Sequence, residues 1–238
     1  MEELEFHLAL HRPGLMLDIG AHDGLLSLPF ARLPNTHLHA FEPLPAAMAR
    51  LRAAFAGLPG NVTLHEVALG ASPGEAWLTL PVLGGIAQEQ WASISKDYAE
   101  HSSITTQQHR VAVITLDSLG LQGITGIKLD AEGAEQEVLE GARMTLATSR
   151  PVLSIEIEER HRAGATRDVP ALLATLGYAG FFWHAGALRP LAAFDATTMQ
   201  VASPDPAVFA ASEPYIFSFF FLPIERSAAD LEKLQRAR

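Results

Sequence analysis

The stretch Leu15-Met16-Leu17-Asp18-Ile19-Gly20-Ala21-His22-Asp23-Gly24 decides how the rest of the chain is read. Apolar residues run into an acid and then a loop with glycines at 20 and 24, and a helical pattern follows from Leu25 to Leu33. This reads as strand, tight turn and helix. A second strand follows at His37-Leu38-His39-Ala40-Phe41 and ends in Glu42-Pro43, with Glu42 lying 22 residues beyond Gly20. In an open parallel sheet that spacing puts a carboxylate at the tip of the neighbouring strand. There it accepts hydrogen bonds from both ribose hydroxyls of a nucleoside held over the glycine loop.

The loop also constrains the nucleoside. Gly20 and Gly24 are separated by three residues, where a pyrophosphate loop carries G-x-G-x-x-G, and Asp18 stands immediately before the turn. A carboxylate there repels a pyrophosphate but suits the ammonium group of an amino-acid tail, which favours S-adenosylmethionine over NAD. Either part alone has a plainer meaning, since glycine turns follow strands in many α/β proteins and Glu42 could be a solvated acid at a helix start. The combination points to a cofactor site.

The 238 residues suit one α/β domain with a sizeable core. A net charge of −10 disfavours a nucleic-acid partner, because phosphate backbones require clustered Lys and Arg. Without cysteine there are no disulfides, thiolate catalysis or cysteine metal ligands, so histidines and carboxylates carry the polar chemistry. The acidic start Met1-Glu2-Glu3-Leu4-Glu5 is unlike a signal peptide, and no apolar run approaches bilayer length, so a soluble cytoplasmic protein with no membrane partner is expected. A homo-oligomer is compatible with the sequence.

Within an N-terminal segment 1–14, residues 2 to 11 predict a helix covering one sheet face, stopped by Pro13-Gly14. The main domain is expected over 15–224. Pro29 should kink or restart the first crossover helix, and Pro45 to Phe55 predicts another helix, with proline at its start and Gly57 past its end. A third strand is expected over Asn61 to Leu69, its tip at Ala68-Leu69-Gly70 lying beside an adenine ring.

Residues 71–126 break the rhythm and read as a β insertion. Its polar stretch Gln88 to His109 carries Trp91, Ser93, Ser95 and Tyr98, a composition fitting either a lid or a passive surface loop. Thr125 to Leu129 resumes the sheet, and Asp130-Ala131-Glu132-Gly133-Ala134-Glu135 leads into one helix with an apolar face at Ala134, Val138, Leu139, Ala142 and Leu146. A strand over 151–157 ends near Glu156, Glu158 and His161, and a helix follows over Asp168 to Leu176. Tyr178 to Trp183 and Tyr215 to Leu222 are aromatic strands expected to pair at the sheet edge across a loose stretch, Ala185 to Pro214. Phe217, Phe219, Phe220 and Phe221 suit a core better than a ligand box, and the charged tail 225–238 is expected to fray. The order of elements means a right-handed, doubly wound sheet with ligands at the carboxyl ends of its strands.

Several motifs together resemble one family, the FkbM-type S-adenosylmethionine-dependent methyltransferases, many of which methylate hydroxyls of sugars and natural products. They are LDIGAHDGLLS at 17–27, AFEP at 40–43, VALG at 67–70, TLDSL at 115–119, IKLDAEGAEQEVLEGA at 127–142 and RPVLSIEI at 150–157. The resemblance implies a mostly parallel seven-stranded sheet with helices on both faces and its last strand antiparallel. It implies cofactor contacts at Asp18, Gly20, Gly24, Ser27 and Glu42. The neighbouring Ala21, His22, Pro43, Val67 and Ala68, with Ser93 of the insertion, complete the candidate set. His22 departs from the asparagine common in the family.

Methyl transfer from a sulfonium to oxygen needs in-line approach and a base for the acceptor's proton. Asp130, Glu132 and Glu156 are the candidates for base and acceptor orientation. Crowded carboxylates raise one another's pKa, which suits a base working near neutrality. Plainer roles exist: Glu132 and Glu135 as first-turn acids offsetting a helix dipole, Asp130 as a cap, and His161 as a surface residue. Magnesium binding by the acids is disfavoured for want of repeated ligand spacing. The expected activity is O-methylation of a small hydroxylated metabolite, a saccharide or secondary metabolite. N-methylation of an amine, non-catalytic cofactor binding and a nicotinamide dehydrogenase are the rivals.

Overall fold

The computed structural model describes residues 3–58, 60–96, 105–201 and 215–236. The chain opens with α1 (Glu3–Ala9), β1 (Gly14–Ile19), the four-residue α2 (Ser27–Phe30), β2 (Thr36–Phe41), α3 (Pro45–Phe55) and β3 (Val62–His65). The insertion follows as β4 (Ala68–Leu69), β5 (Gly74–Leu83), β6 (Ile86–Ala87) and β7 (Thr105–Ile114). The main sheet resumes with β8 (Ile124–Leu129), α4 (Glu135–Glu140), α5 (Arg143–Ser149), β9 (Val152–Glu156) and α6 (Ala165–Thr175). The last elements are β10 (Tyr178–His184), β11 (Ala187–Pro190), α7 (Ala196–Met199), β12 (Ser218–Pro223) and α8 (Ser227–Arg236).

Among the described residues the main sheet has eight strands in the order β11-β10-β12-β9-β8-β1-β2-β3. From β3 to β9 every pairing is parallel, and β12 runs antiparallel beside β9. The chain winds outward from β1 to β3, then returns to place β8 on the other side of β1. That reversal opens a crevice at the carboxyl ends of β1, β2 and β8, where ligands of open α/β sheets bind.

The eighth strand corrects the expected seven. His184 and Ala187 pair across a two-residue turn at Ala185 and Gly186, both at positive φ, which matches the twist of an antiparallel hairpin. The Ala185 to Pro214 stretch is therefore ordered at its start, and β10 pairs with β12 inside the sheet, with β11 at the edge. Phe219, Phe220 and Phe221 on β12 are all at most 1% exposed and alternate between two core clusters, while Phe217 before the strand is 41% exposed. Burial of each such ring contributes about 1.5–3 kcal/mol, and cover on both faces explains the unbroken apolar run.

Four further expectations change. The third strand ends at His65; Ala68 and Leu69 form β4 in a separate sheet, order β4-β7-β5-β6, pairing with Val113 and Ile114. The helix expected over 134–146 is two helices: Gly141 packs so closely on Gly70 that a Cβ would lie 2.1 Å from its carbonyl oxygen. Asp117 then caps α5 from outside, accepting from Met144 N at 3.0 Å and Thr145 N at 2.8 Å. The charged tail, expected to fray, forms α8, because Leu231 and Leu234 share a helical face that packs with Phe6 of α1, Leu10 just after it and Leu222. The crossover helix expected over 25–33 shrinks to α2, since Pro29 offers no N–H and the chain must re-enter the sheet at Thr36.

Candidate active site

The loop after β1 is held by backbone. Gly20 N and Ala21 N both donate to Phe41 O at 3.0 Å, which lays the loop across the end of β2. Gly20 has φ +75° and its Cα faces the Asp130 carbonyl; an added Cβ would lie 1.8 Å from that oxygen. Only glycine fits there. At the tip of β2, Glu42 is buried and its two oxygens accept from His22 N at 2.9 Å and Leu44 N at 2.8 Å. Burial raises its pKa, opposed by those two N–H groups. A carboxylate has about four lone-pair sites, so two remain for a ligand.

Beneath the loop Asp18 is fully buried, accepting from Ser27 Oγ at 2.5 Å, with Lys128 Nζ 3.6 Å away. Burial drives the Asp18 pKa up, while Lys128 and Ser27 pull it down. Lys128 stands near the carboxyl end of β8, donates to Gly20 O at 2.8 Å and lies 3.6 Å from Asp130 Oδ2. Desolvation would lower the lysine's pKa, but Asp130, Asp18, Glu3 and Glu156 outweigh it and hold the ammonium charged. One cation thus fastens the cofactor loop to the end of β8.

Above the loop lies an open cavity of about 200 Å³. Gly20, His22, Glu42 and Pro43 line its floor, and Val67, Ala68 and Leu78 give it an apolar wall. Asp130 and Glu132 face it from the β8 end, and Gln90 and Ala92 of the insertion form the far side. Asp18, Ala21, Gly24 and Ser27 lie outside the lining: they shape the loop from behind. The fit of a nucleoside rests on Glu42's spare lone pairs, with the Gly20 turn packed against the Asp130 carbonyl beneath them.

At the other end Asp130 and Glu132 face the cavity, while Glu156, Lys96 and His161 lie outside its lining and pack around those two acids. Asp130, Glu132 and Glu156 each present an oxygen within 4.8 Å of the others, a spacing that could hold a cation. Glu132, at φ +52°, has Lys96 of the insertion bonded to Oε2. Its pKa is raised to about 7, by burial first, with Lys96 opposing and Asp130 adding to the rise. Glu156 is pushed up to about 10 by burial and by the charges of Asp130 and Glu158, so at neutral pH it carries its proton. His161 Nε2 sits 3.5 Å from Glu132 and 3.3 Å from Glu158; burial and the nearby Lys96 lower it to about 3 and keep it neutral. Glu135 is also raised to about 7 by burial, but it accepts from Ala131 N at 3.0 Å and Gly133 N at 2.9 Å and holds the turn. Ser93, 1% exposed, donates to Glu132 O at 2.7 Å and stays off the cavity lining. Tyr98 lies outside the described residues.

The methyltransferase FkbM domain family matches residues 18–182, which contain every residue just described except Glu3. The chain belongs to that family. It carries a methyltransferase FkbM domain. Among solved structures it is similar to the FkbM methyltransferase of Methylobacillus flagellatus KT, at 16% identity and TM-score 0.54, over 92% of this chain and 50% of that one. This FkbM chain therefore spans about half the length of that relative. A putative rRNA methylase of Clostridium thermocellum is similar at 8% identity and TM-score 0.50, over 93% of each chain. At such identities these likenesses show the fold. No curated protein sequence matches the chain.

Three site residues of this FkbM domain were not singled out as functional from the sequence. Lys128 had one visible signal, a lone charge inside an apolar strand, Ile127-Lys128-Leu129. Lys96 had none, because its partner Glu132 lies 36 residues away in the chain; His161 stood in view beside Glu158 but read as a surface residue, whereas its side chain is only 7% exposed. Among the described residues no helix is long and apolar enough to cross a membrane.

Proposed function

We propose that this protein transfers a methyl group from S-adenosylmethionine to a hydroxyl of a small, uncharged metabolite, a saccharide or other polyhydroxylated secondary metabolite. The observation that carries the reading is the pairing, in one cavity, of Glu42 at the β2 tip with a carboxylate poised near neutrality, Glu132, at the opposite end. When bound, S-adenosylmethionine supplies a methyl group already activated by its sulfonium.

The chain's own residues do the rest. Glu42 and the Gly20 loop hold the nucleoside end. Glu132, with a pKa near the working pH, takes the proton that the acceptor oxygen loses. Asp130, beside it on the cavity wall, orients the acceptor, and protonated Glu156 donates a hydrogen bond towards the same cluster. Such positioning of two reactants supplies much of the acceleration a methyl transfer needs.

Calorimetric titration with S-adenosylhomocysteine tests the cofactor half, with NAD as control. Saturable binding of the first and none of the second is expected. Glu42→Ala should weaken the binding by about 100-fold or more, whereas Asp130→Ala should bind within a few-fold of wild type and turn over at least tenfold slower. A methylation screen of alcohols against amines tests the acceptor half. Binding of NAD alone, or turnover confined to amines, would overturn the respective half.

A further inference from the structure

The Asp130–Glu132–Glu156 triangle has the oxygen spacing of a divalent-cation site, yet a lysine is built into it. Lys96 is not a loose surface side chain. Its side chain is 10% exposed with its ammonium paired to Glu132, and its backbone is tied to the same residue through Ser93. Ser93 Oγ accepts from Ser95 N and Lys96 N, both at 3.1 Å, and donates to the Glu132 carbonyl. Ser93 is in turn fixed to β5, exchanging backbone hydrogen bonds with Thr79 at 2.9 and 3.1 Å. The insertion thus delivers one positive charge to one carboxylate by a short, doubly anchored path. On the opposite flank Lys128 stands 3.6 Å from Asp130.

Resting on the methyltransferase reading above, we propose that Lys96 is the resident cation of the acceptor end and sets the acceptor class. A neutral hydroxylated molecule enters beside it, while a further cation is refused. The physical ground is like-charge repulsion at short range in a partly desolvated site, where screening by water is weak. A metal ion meets two ammonium groups already paired to the acids it would need, and a protonated amine meets the same charges. Lys96 acts through Glu132 and is a specificity-determining residue.

The test needs no acceptor. Free Mn²⁺ is measured by electron paramagnetic resonance during titration of the full chain, as wild type, Lys96→Met, Lys96→Arg and the double variant Lys96→Met/Glu156→Gln. Lys96→Met should bind one Mn²⁺ at least tenfold more tightly than wild type, Lys96→Arg should behave as wild type, and the double variant should lose the gain. Equal Mn²⁺ affinity in wild type and Lys96→Met, at any value, would overturn the proposal, as would a gain that survives Glu156→Gln. If Lys96→Met does not fold, Lys96→Gln takes its place under the same outcomes. S-adenosylhomocysteine titration of the same wild-type preparation is the separate test of the underlying reading, so the two can fail independently.

Discussion

The two ends of the cavity are held by different means. At the β1–β2 end, backbone does the holding: Glu42 is fixed by two main-chain N–H groups, and the loop is fixed by its own amides on Phe41 O. At the β8–β9 end, side chains from four separate segments meet, around Lys96, Glu132, Glu156 and His161. Backbone-held geometry tolerates few changes and serves a ligand that does not vary. Side-chain-held geometry can be altered one residue at a time, which suits the end proposed to select an acceptor.

Lys128 joins the two ends, and its loss is expected to have the largest effect. Lys128→Met leaves Asp18 and Asp130 without their shared cation and should cost on the order of 3–5 kcal/mol, lowering the melting temperature by roughly 10 °C or more. A shift below about 2 °C would mean the two ends are not joined through this residue. Next comes Glu42→Ala, which removes a carboxylate anchored at a fixed place and should weaken S-adenosylhomocysteine binding by about 100-fold or more. The Glu42→Gln variant, keeping the shape without the charge, separates charge from position.

Glu132→Gln probes the side-chain end. Turnover should fall by about 10²–10⁴-fold. In the wild type the basic form of Glu132 exists above a pKa of about 7, so the rate should rise between pH 6 and 8. That rise should vanish in the variant, and its persistence would move the base elsewhere.

The smallest effect concerns stability. Glu156 has its folded pKa raised from 4.5 to about 10, so its contribution is fully present below pH 4.5 and is lost as pH rises towards 10. Glu156→Gln keeps the neutral form at every pH. Its melting temperature relative to wild type should therefore climb between pH 6 and 9, and a flat difference would remove Glu156 from the buried acid cluster.

The same contrast explains what the sequence made legible. Gly20, Glu42 and the limits of α3 follow from local rules, since turns, strand tips and proline at a helix start are set by a few consecutive residues. The break between α4 and α5 needed Gly70, 71 residues earlier, and the helical tail needed α1 at the other end of the chain. The acceptor end was legible only in part: Asp130, Glu132 and Glu156 stand at strand ends, where carboxylates are conspicuous. Lys96 looks like any polar loop residue until the fold carries it to Glu132.

The two-residue β4 gives the molecule a mechanical property. Ala68 lines the cavity and is also the first residue of the insertion's sheet, paired with Val113. The insertion is therefore a cantilever clamped at the cofactor wall, with Lys96 out on its loop. Lengthening or reshaping the outer part changes what the arm touches and leaves the clamp alone, so one cofactor mount can carry interchangeable heads.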